Sequence, residues 1–98
     1  MAFHRLEYDR TLLESLLQEH SGNDHIFVRP RGSHLYIELE DAAGLTSVLA
    51  RATEIGHSHY GVSFRTHSGR YEAMPISGDV EEVATDIAAM LAPYLTPL

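Results

Sequence analysis

The sequence predicts an α+β domain in which one antiparallel sheet of four to five strands has helices packed on one face. Helical spacing of apolar residues near both ends of the chain, with alternating strand-like segments between them, supports this fold class. The predicted order is α-β-β-(α)-β-β-α, in which the element in parentheses is ambiguous. A chain of 98 residues is expected to form a single domain, 1–98, because two separate cores need a longer sequence.

The first predicted helix spans residues 8–21. Its apolar stripe has helical spacing and consists of Leu12, Leu13, Leu16 and Leu17. Thr11 and Glu14 fit a capping box, with Asp9 as an alternative start. Gly22 favours a left-handed end, so the chain is expected to turn there towards the sheet.

Residues 25–39 predict the first β-hairpin, with a turn at residues 30–33. One face of its strands is purely aliphatic and consists of Ile26, Val28, Leu35, Ile37 and Leu39. The opposite face holds His25, Phe27, Arg29, His34, Tyr36 and Glu38. This alternation is typical of an antiparallel sheet with one face buried and the other exposed to water.

Residues 45–55 fit two kinds of secondary structure. The apolar residues with helical spacing are Leu45, Val48, Leu49, Ala52 and Ile55. Gly56 would end such a helix. The segment 50–55 also fits a strand, but we expect a short helix here.

Residues 58–76 predict a second β-hairpin. One face of its first strand holds Tyr60, Val62 and Phe64, and the other holds Gly61, Ser63 and Arg65. The pair Ser68-Gly69 fits a tight primed turn. Pro75 in the returning strand indicates that this strand lies at an edge of the sheet.

The last predicted helix spans residues 79–92, where Asp79 and Glu82 fit a capping box and Pro93 would end the helix. Its apolar stripe consists of Val80, Val83, Ala84, Ile87, Ala88 and Leu91. The helices and strands together predict a core that contains Leu13, Leu16, Leu17, Ile26, Val28, Leu35, Ile37, Val62, Phe64, Val83, Ile87 and Leu91.

The charged residues are unevenly distributed along the chain. All 7 cationic residues are arginine, 14 residues are acidic, and the net charge is −7. Five of the arginines and only four of the acids lie within residues 25–70. The net negative charge disfavours binding to nucleic acid or to an anionic membrane. The lack of cysteine and the short longest apolar run, residues 87–95, are consistent with a cytoplasmic protein that does not enter a membrane.

The non-aliphatic face of the predicted sheet is the candidate partner-binding surface. It would present His25, Phe27, Arg29, His34, Tyr36, Ser63 and Arg65. Aromatic residues mixed with arginine are typical of protein interfaces, so this face predicts contact with a protein partner or with a second copy in a homodimer. Alternatively, these side chains only cover the sheet through cross-strand pairs.

The turn at residues 65–70 is a candidate anion-binding site formed by Arg65, Ser68, Gly69 and Arg70. Arginine beside exposed turn amides can hold a carboxylate or a phosphate. A polar hairpin tip has the same composition, so both interpretations stay open. Residues 29–33 allow the same two interpretations.

His57, His59 and His67 are weak candidates for metal ligands. The first two have the same-face spacing of a strand and could bind one ion, with His67 or His25 as a third ligand. No carboxylate is evidently placed to support them, so we expect neither a metal nor another cofactor. No catalytic motif such as GxSxG is present, and no catalytic residue is assigned.

These features predict a small cytoplasmic protein-binding module, an adaptor or a chaperone-like protein, that forms a homodimer and contacts an acidic or amphipathic protein segment. The order of elements, the small size and the acidity resemble the layout of secretion chaperones, which dimerise and hold a client segment. One alternative is a small hydrolase or lyase that holds an anionic substrate through arginine and uses histidine as a base or metal ligand. Another alternative is a subunit of a larger assembly.

Overall fold

A computed structural model describes residues 2–95 of the chain. The elements in chain order are α1 (Ala2–Ser21), β1 (Ile26–Arg31), β2 (His34–Glu40), β3 (Thr46–Gly56), β4 (His59–Arg65), β5 (Tyr71–Gly78), α2 (Val80–Met90) and α3 (Ala92–Leu95). The strands form a single antiparallel sheet in the order β1-β2-β3-β4-β5, so each strand pairs with its neighbour in sequence. This architecture confirms the predicted α+β fold class.

The segment 45–55, for which we expected a short helix, forms strand β3 instead. Ala50 and Ala52 are fully buried, whereas Arg51 and Thr53 are only half-buried. This alternation is that of a strand with one face on the core. The preference for a helix is therefore wrong, and the sheet has five strands.

A β-bulge in β3 explains why its apolar residues resemble a helix. Ile37 of β2 pairs with Ala50, and the next residue, Glu38, pairs with Val48, so Leu49 is an extra residue on β3. A bulge of this kind interrupts the two-residue period of a strand. The apolar positions before and after it then follow one another at three- and four-residue intervals, as in a helix.

The core lies between the sheet and the two long helices. Its buried residues are Leu13, Leu17, Ile26, Val28, Leu35, Ile37, Ala50, Ala52, Tyr60, Val62, Ile76, Val80, Val83, Ala84, Ile87 and Leu91. Every predicted core residue is among them except Leu16 and Phe64, which are partly buried against the same cluster. The residues that the sequence did not predict are mostly small or carry a hydroxyl, such as Ala50, Ala52 and Tyr60.

Helix α1 begins at Ala2, well before the predicted start. The segment before Tyr8 contains no glycine or proline that would prevent a helix. Thr11 therefore lies inside the helix, where its Oγ1 donates to the carbonyl oxygen of Glu7 at 3.1 Å. The proposed capping box at Thr11 is wrong, but the helix ends as expected at Gly22, which has a φ of 69°.

Helix α2 has the capping box that the sequence predicts. The amide of Glu82 donates to Oδ1 of Asp79 at 2.8 Å, and the amide of Asp79 donates to Oε1 of Glu82 at 3.1 Å. The helix ends at Met90, and Pro93 lies in the first turn of the short helix α3. A proline is tolerated there because the first amides of a helix have no partner within it.

Side chains of α1 cover the outer edge of β1. Oε2 of Glu14 accepts from the amide of Val28 at 2.8 Å, and Nη1 of Arg10 donates to the carbonyl oxygen of Val28 at 3.3 Å. Nε2 of Gln18 donates to the carbonyl oxygen of Ile26 at 2.8 Å. These bonds occupy backbone groups that an uncovered edge strand would present to another chain.

The opposite edge is interrupted at Pro75. The register of β5 against β4 passes from Gly61 with Ser77 to Ser63 with Ala73, so β5 contains two additional residues between these pairs. Pro75 lies in this irregular segment and has no amide to donate. The prediction that this strand forms an edge is confirmed. Both edges are therefore poor templates for a further strand.

A buried hydrogen bond joins α1 to the sheet. The hydroxyl of Tyr60, on β4, donates to Oδ2 of Asp9 at 2.7 Å. Tyr60 is fully buried, and Asp9 is only 4% exposed. This carboxylate is buried next to a hydroxyl donor, as buried charged groups require.

Candidate functional site

The face of the sheet opposite the core, called the outer face below, is the candidate site. Strand alternation places on it Phe27, Arg29, His34, Tyr36, Glu38, Arg51, Thr53, Ser63, Arg65, Tyr71 and Ala73. All the predicted partner-binding residues are among these except His25, which lies just before β1. Helices α1 and α2 pack on the other side of the sheet, where the core lies.

His25 belongs to the end of the sheet. Its Nδ1 lies 3.6 Å from Oε1 of Glu40, and its Nε2 lies 3.5 Å from Oδ1 of Asp24. The two carboxylates are positioned to pair with the ring when it is protonated. They place His25 in a locally acidic environment, in contrast to the arginine-rich centre of the face.

Arg29 is neutralised by a carboxylate on the neighbouring strand. Its Nη2 and Nε atoms lie 2.7 Å and 2.8 Å from Oε2 of Glu38. Its Cζ atom also lies 5.5 Å from the centroid of the Tyr36 ring. Because the charge of Arg29 is paired, this residue adds little positive potential to the outer face.

Arg51 occupies the centre of the outer face, directly between Tyr36 on β2 and Ser63 on β4. Its Cζ atom lies 4.1 Å from the centroid of the Tyr71 ring, which is a close cation–π contact. Its Nε atom is buried and has no hydrogen-bond partner within the described residues. None of the ion pairs found in that part of the chain involves Arg51.

The Tyr71 ring that contacts this arginine packs against a second tyrosine, Tyr36. The centroids of Tyr36 and Tyr71 are 6.1 Å apart, and the rings meet edge to face at 66°. Such pairs favour edge-to-face contact because the ring edge is positive and the ring face is negative. The result is a central arginine beside packed aromatic rings, an arrangement that occurs often in binding surfaces.

His34 is partly buried on the outer face, near the charge of Arg51. Its Nδ1 atom lies 2.8 Å from Oγ1 of Thr53, and its ring centroid lies 5.8 Å from that of Tyr36. Burial lowers the pKa of His34, and the charge of Arg51 lowers it further. The imidazole is therefore held in its neutral form near physiological pH.

The turn at residues 65–70 differs from the predicted primed turn. Only Gly69 has a positive φ, 84°, whereas a type I′ turn also needs one at the preceding residue. The Gly69 amide donates to the carbonyl oxygen of Thr66 at 3.0 Å, and the Thr66 amide donates to that of Arg70 at 2.8 Å. The Gly69 amide is thus used within the turn, and an anion there would depend on Arg65, Ser68 and Arg70.

A groove of about 490 Å³ opens beside this turn, on the core side of the sheet where α2 ends. Its apolar walls are formed by Val48, Leu49, Phe64, Leu91 and Tyr94, and residues 65–67 form one side. Arg65 is therefore shared between the groove and the outer face. The groove is separate from the cluster around Arg51, which lies on the other side of the sheet.

The three candidate metal-ligating histidines lie at two separate places. His57 and His59 flank Ser58, whose φ of 50° marks the tight connection between β3 and β4. His67 lies in the turn at the other end of β4, about 20 Å away for a strand of this length. In the residues that the structure describes, no three His, Cys, Asp or Glu side chains are grouped to hold a metal ion.

Arg51 and Tyr71 are the site residues that the sequence did not predict. The helix expected at 45–55 leaves Arg51 outside the predicted sheet, and no pattern in the sequence assigns Tyr71 to its outer face. The alternation Ala50-Arg51-Ala52-Thr53 was the available signal, because small buried residues alternate there with polar ones.

Comparison with protein-family models, with curated proteins and with solved structures finds no match to this chain. Among residues 2–95, no helix has both the length and the apolar character needed to cross a lipid bilayer. Function is therefore argued from the side chains themselves.

Proposed function

We propose that the protein is a small cytoplasmic protein-binding module, of the adaptor or chaperone-like type, that contacts an acidic segment of a partner through its outer face. The observation that supports this proposal is the unpaired guanidinium of Arg51, which lies among Tyr36 and Tyr71 on the face of the sheet away from the helices. Arginine and tyrosine are the residue types that most often dominate binding energy at protein interfaces.

The edges of the sheet support the use of a face rather than an edge. Many peptide-binding domains add an extended segment to an uncovered strand. Here the backbone of β1 is bonded by Glu14, Arg10 and Gln18, and β5 is interrupted at Pro75. A partner segment has better access to the side chains of the outer face than to backbone groups at either edge.

Charge favours an acidic partner over a second copy of the chain. Arg51 lies on the third of five strands, near the centre of the outer face. A symmetric homodimer over this face would bring the Arg51 residues of both copies close to the two-fold axis, where their charges repel. The homodimer expected from the sequence would use the same surface, and charge repulsion makes it less favourable than binding of an acidic partner.

The hydrolase or lyase alternative has less support. Such an enzyme would need a histidine close to the arginines that hold the substrate. His57 and His59 lie at the far end of β4 from Arg65 and Arg70, and His34 is held neutral against Thr53. Among the histidines whose side chains the structure describes, only His67 lies in the same turn as those arginines.

The test compares two substitutions, each of an exposed aromatic residue by aspartate, on opposite surfaces of the protein. Phe27→Asp removes an exposed ring from the outer face, and Tyr8→Asp removes one from α1; the two side chains are 38% and 67% exposed. Each variant is used to capture partners, and cross-linking with mass spectrometry identifies the contacted segment. We expect Phe27→Asp alone to lose the partner, and the cross-linked segment to be rich in aspartate and glutamate.

Capture that is equal for both variants, or cross-links confined to α1, would contradict the proposal. Light scattering on the isolated protein tests whether the outer face forms a homodimer instead. A mass of two 10.9 kDa chains that Phe27→Asp reduces to one would assign the outer face to a homodimer.

A further inference from the structure

We propose that Arg51 is the anion seat of the outer face and receives a side-chain carboxylate, aspartate or glutamate, from the partner segment. This inference rests on the proposed function, because it names the group that the outer face recognises. The Arg51 position is distinct from the turn at residues 65–70, which the sequence predicts as a candidate anion site. Three features of Arg51 support this inference: an unsatisfied donor, contact with an aromatic ring, and an uncompensated charge.

Arg51 has donors that nothing in the described chain satisfies. A guanidinium has five N–H donors, and buried polar groups in proteins almost always have a hydrogen-bond partner. The Nε atom of Arg51 is buried and has none within residues 6–94. Because Nε is itself inaccessible, an incoming carboxylate would bind the terminal nitrogens of the guanidinium.

The orientation of Arg51 suits a carboxylate. The Tyr71 ring, 4.1 Å from Cζ, covers the guanidinium and fixes its position. A guanidinium is planar, and its N–H groups match the two oxygens of a carboxylate. Ser63 lies directly across on β4, followed by Ala73 on β5, so the side chains on that flank are small.

Arg51 lies near the centre of the outer face, and its charge has no ion-pair partner in the part of the chain that the structure describes. Arg29 is paired with Glu38 at 2.7 Å, so neither of these residues neutralises Arg51. The pKa of His34 is lowered first by burial and second by the charge of Arg51. A single guanidinium suits a carboxylate, with one negative charge, better than a phosphate group with about two.

The experiment uses soluble synthetic peptides as probes. The first is a decapeptide that alternates glutamate with serine, the second replaces glutamate with glutamine, and the third replaces it with phosphoserine. Affinity is measured by calorimetry. The ¹⁵N-labelled Nε–H signal of Arg51 is followed by NMR, because a carboxylate that binds the guanidinium shifts this signal directly.

Three variants of the full chain accompany the wild type. Arg51→Lys retains the charge but loses the planar fork, and Arg51→Met removes both. Tyr8→Met replaces an exposed ring on α1, away from the outer face, and is the control. Thermal melting and the amide NMR spectrum confirm that each variant is folded, and Arg51→Lys keeps the test informative if Arg51→Met does not fold.

We expect the glutamate peptide to shift the Arg51 Nε–H signal and the glutamine peptide to bind about 10-fold or more weakly. Arg51→Lys is expected to weaken binding of the glutamate peptide about 10-fold and Arg51→Met further, whereas Tyr8→Met stays within about 2-fold. Wild-type affinity in both Arg51 variants would overturn the proposal. Tighter binding of the phosphoserine peptide through Arg51 would assign the seat to phosphate instead.

The outcomes separate this inference from the proposed function. If Phe27→Asp abolishes binding of the glutamate peptide but Arg51→Met does not, the outer face binds an acidic segment and Arg51 is not its anchor. If the wild-type chain binds neither the glutamate nor the phosphoserine peptide, both proposals fail.

Discussion

The Cζ atom of Arg51 lies 4.1 Å from the centroid of the Tyr71 ring, although their strands are not neighbours in the sheet. Strand β4 separates β3 from β5, and on the outer face it places only Ser63 opposite Arg51. This small side chain leaves room for the tyrosine to reach across the strand. The contact therefore links the central strand of the sheet to its edge.

The link between Arg51 and Tyr71 should be measurable as a coupling energy. We predict that a double-mutant cycle with Arg51→Met and Tyr71→Leu gives about 0.5–2 kcal/mol, the range of cation–π contacts. The same cycle on Arg29 and Tyr36, which are 5.5 Å apart, is expected to give a smaller value. Urea denaturation provides the free energies, and additive effects of Arg51→Met and Tyr71→Leu would show that the two side chains do not interact.

The buried bond between Tyr60 and Asp9 should matter more for stability than any exposed contact. Tyr60→Phe keeps the ring but removes the donor to a carboxylate that is 4% exposed. We predict a loss of about 1–3 kcal/mol in the free energy of unfolding, as for buried acceptors deprived of a donor. Tyr8→Phe, at a position 67% exposed, is the control and should change stability by less than about 0.5 kcal/mol.

Equal denaturation midpoints for Tyr60→Phe and the wild type would contradict this role. Asp9→Asn provides an independent check, because an amide oxygen still accepts from the tyrosine hydroxyl. Its effect should be smaller than that of Asp9→Ala, which leaves Tyr60 without this acceptor.

Glu14 should protect the edge of the sheet. Its Oε2 accepts from the Val28 amide at 2.8 Å, so Glu14→Ala exposes that amide to solvent or to another chain. We predict faster hydrogen exchange at Val28, a stability loss of about 1–2 kcal/mol and a greater tendency to aggregate. Glu14→Gln, which retains an acceptor oxygen, should show most of the wild-type protection.

Glu19→Ala is the matched control for the edge. It removes the same charge from an exposed position of α1. Exchange at Val28 should not change in this variant. If Glu19→Ala and Glu14→Ala accelerate exchange equally, the effect comes from helix charge and not from the bond to β1.

His34 should make stability depend on pH. Folding lowers its pKa below the ordinary 6.5, first through burial and second through Arg51. Between 6.5 and the folded-state pKa, the unfolded chain binds more protons than the folded chain. Stability contributed by the neutral ring is therefore present above this window and is lost as the pH falls through it.

The measurement is the free energy of unfolding as a function of pH in His34→Gln and in His67→Gln, an exposed control. His34→Gln should have a flatter profile just below pH 6.5, whereas His67→Gln should follow the wild type. Arg51→Met should raise the His34 pKa, as read from the imidazole NMR signals. A His34 pKa that does not respond to Arg51→Met would remove the charge of Arg51 as a cause.

The elements with regular patterns were predictable from the sequence. Helix α2 combines an unbroken apolar stripe with the capping box of Asp79 and Glu82, and local signals of this kind do not depend on distant residues. The first hairpin was equally predictable because its aliphatic and polar residues alternate without a break. Six of the predicted site residues on the outer face follow directly from these patterns and the second hairpin.

The misassigned element shows what local patterns miss. The bulge at Leu49 changes the spacing of the apolar residues in β3, and nothing in the sequence marks a bulge directly. The error also hid Arg51, the residue that matters most for the candidate site. Asp9 was missed for a different reason, since its partner Tyr60 is 51 residues away and no local pattern connects them.

The distance between Asp9 and Tyr60 also has a consequence for the growing polypeptide. At a synthesis rate of about 5–20 residues per second, the 51 residues from Arg10 to Tyr60 take about 3–10 s to translate. For most of that interval the ribosome has completed α1 but not the strand that supplies its buried hydroxyl. Leu13 and Leu17 then lack most of the sheet that will cover them, and Asp9 remains hydrated. Helix α1 is therefore synthesised first but gains its buried contacts late. Until then its apolar surface is accessible to cellular folding factors.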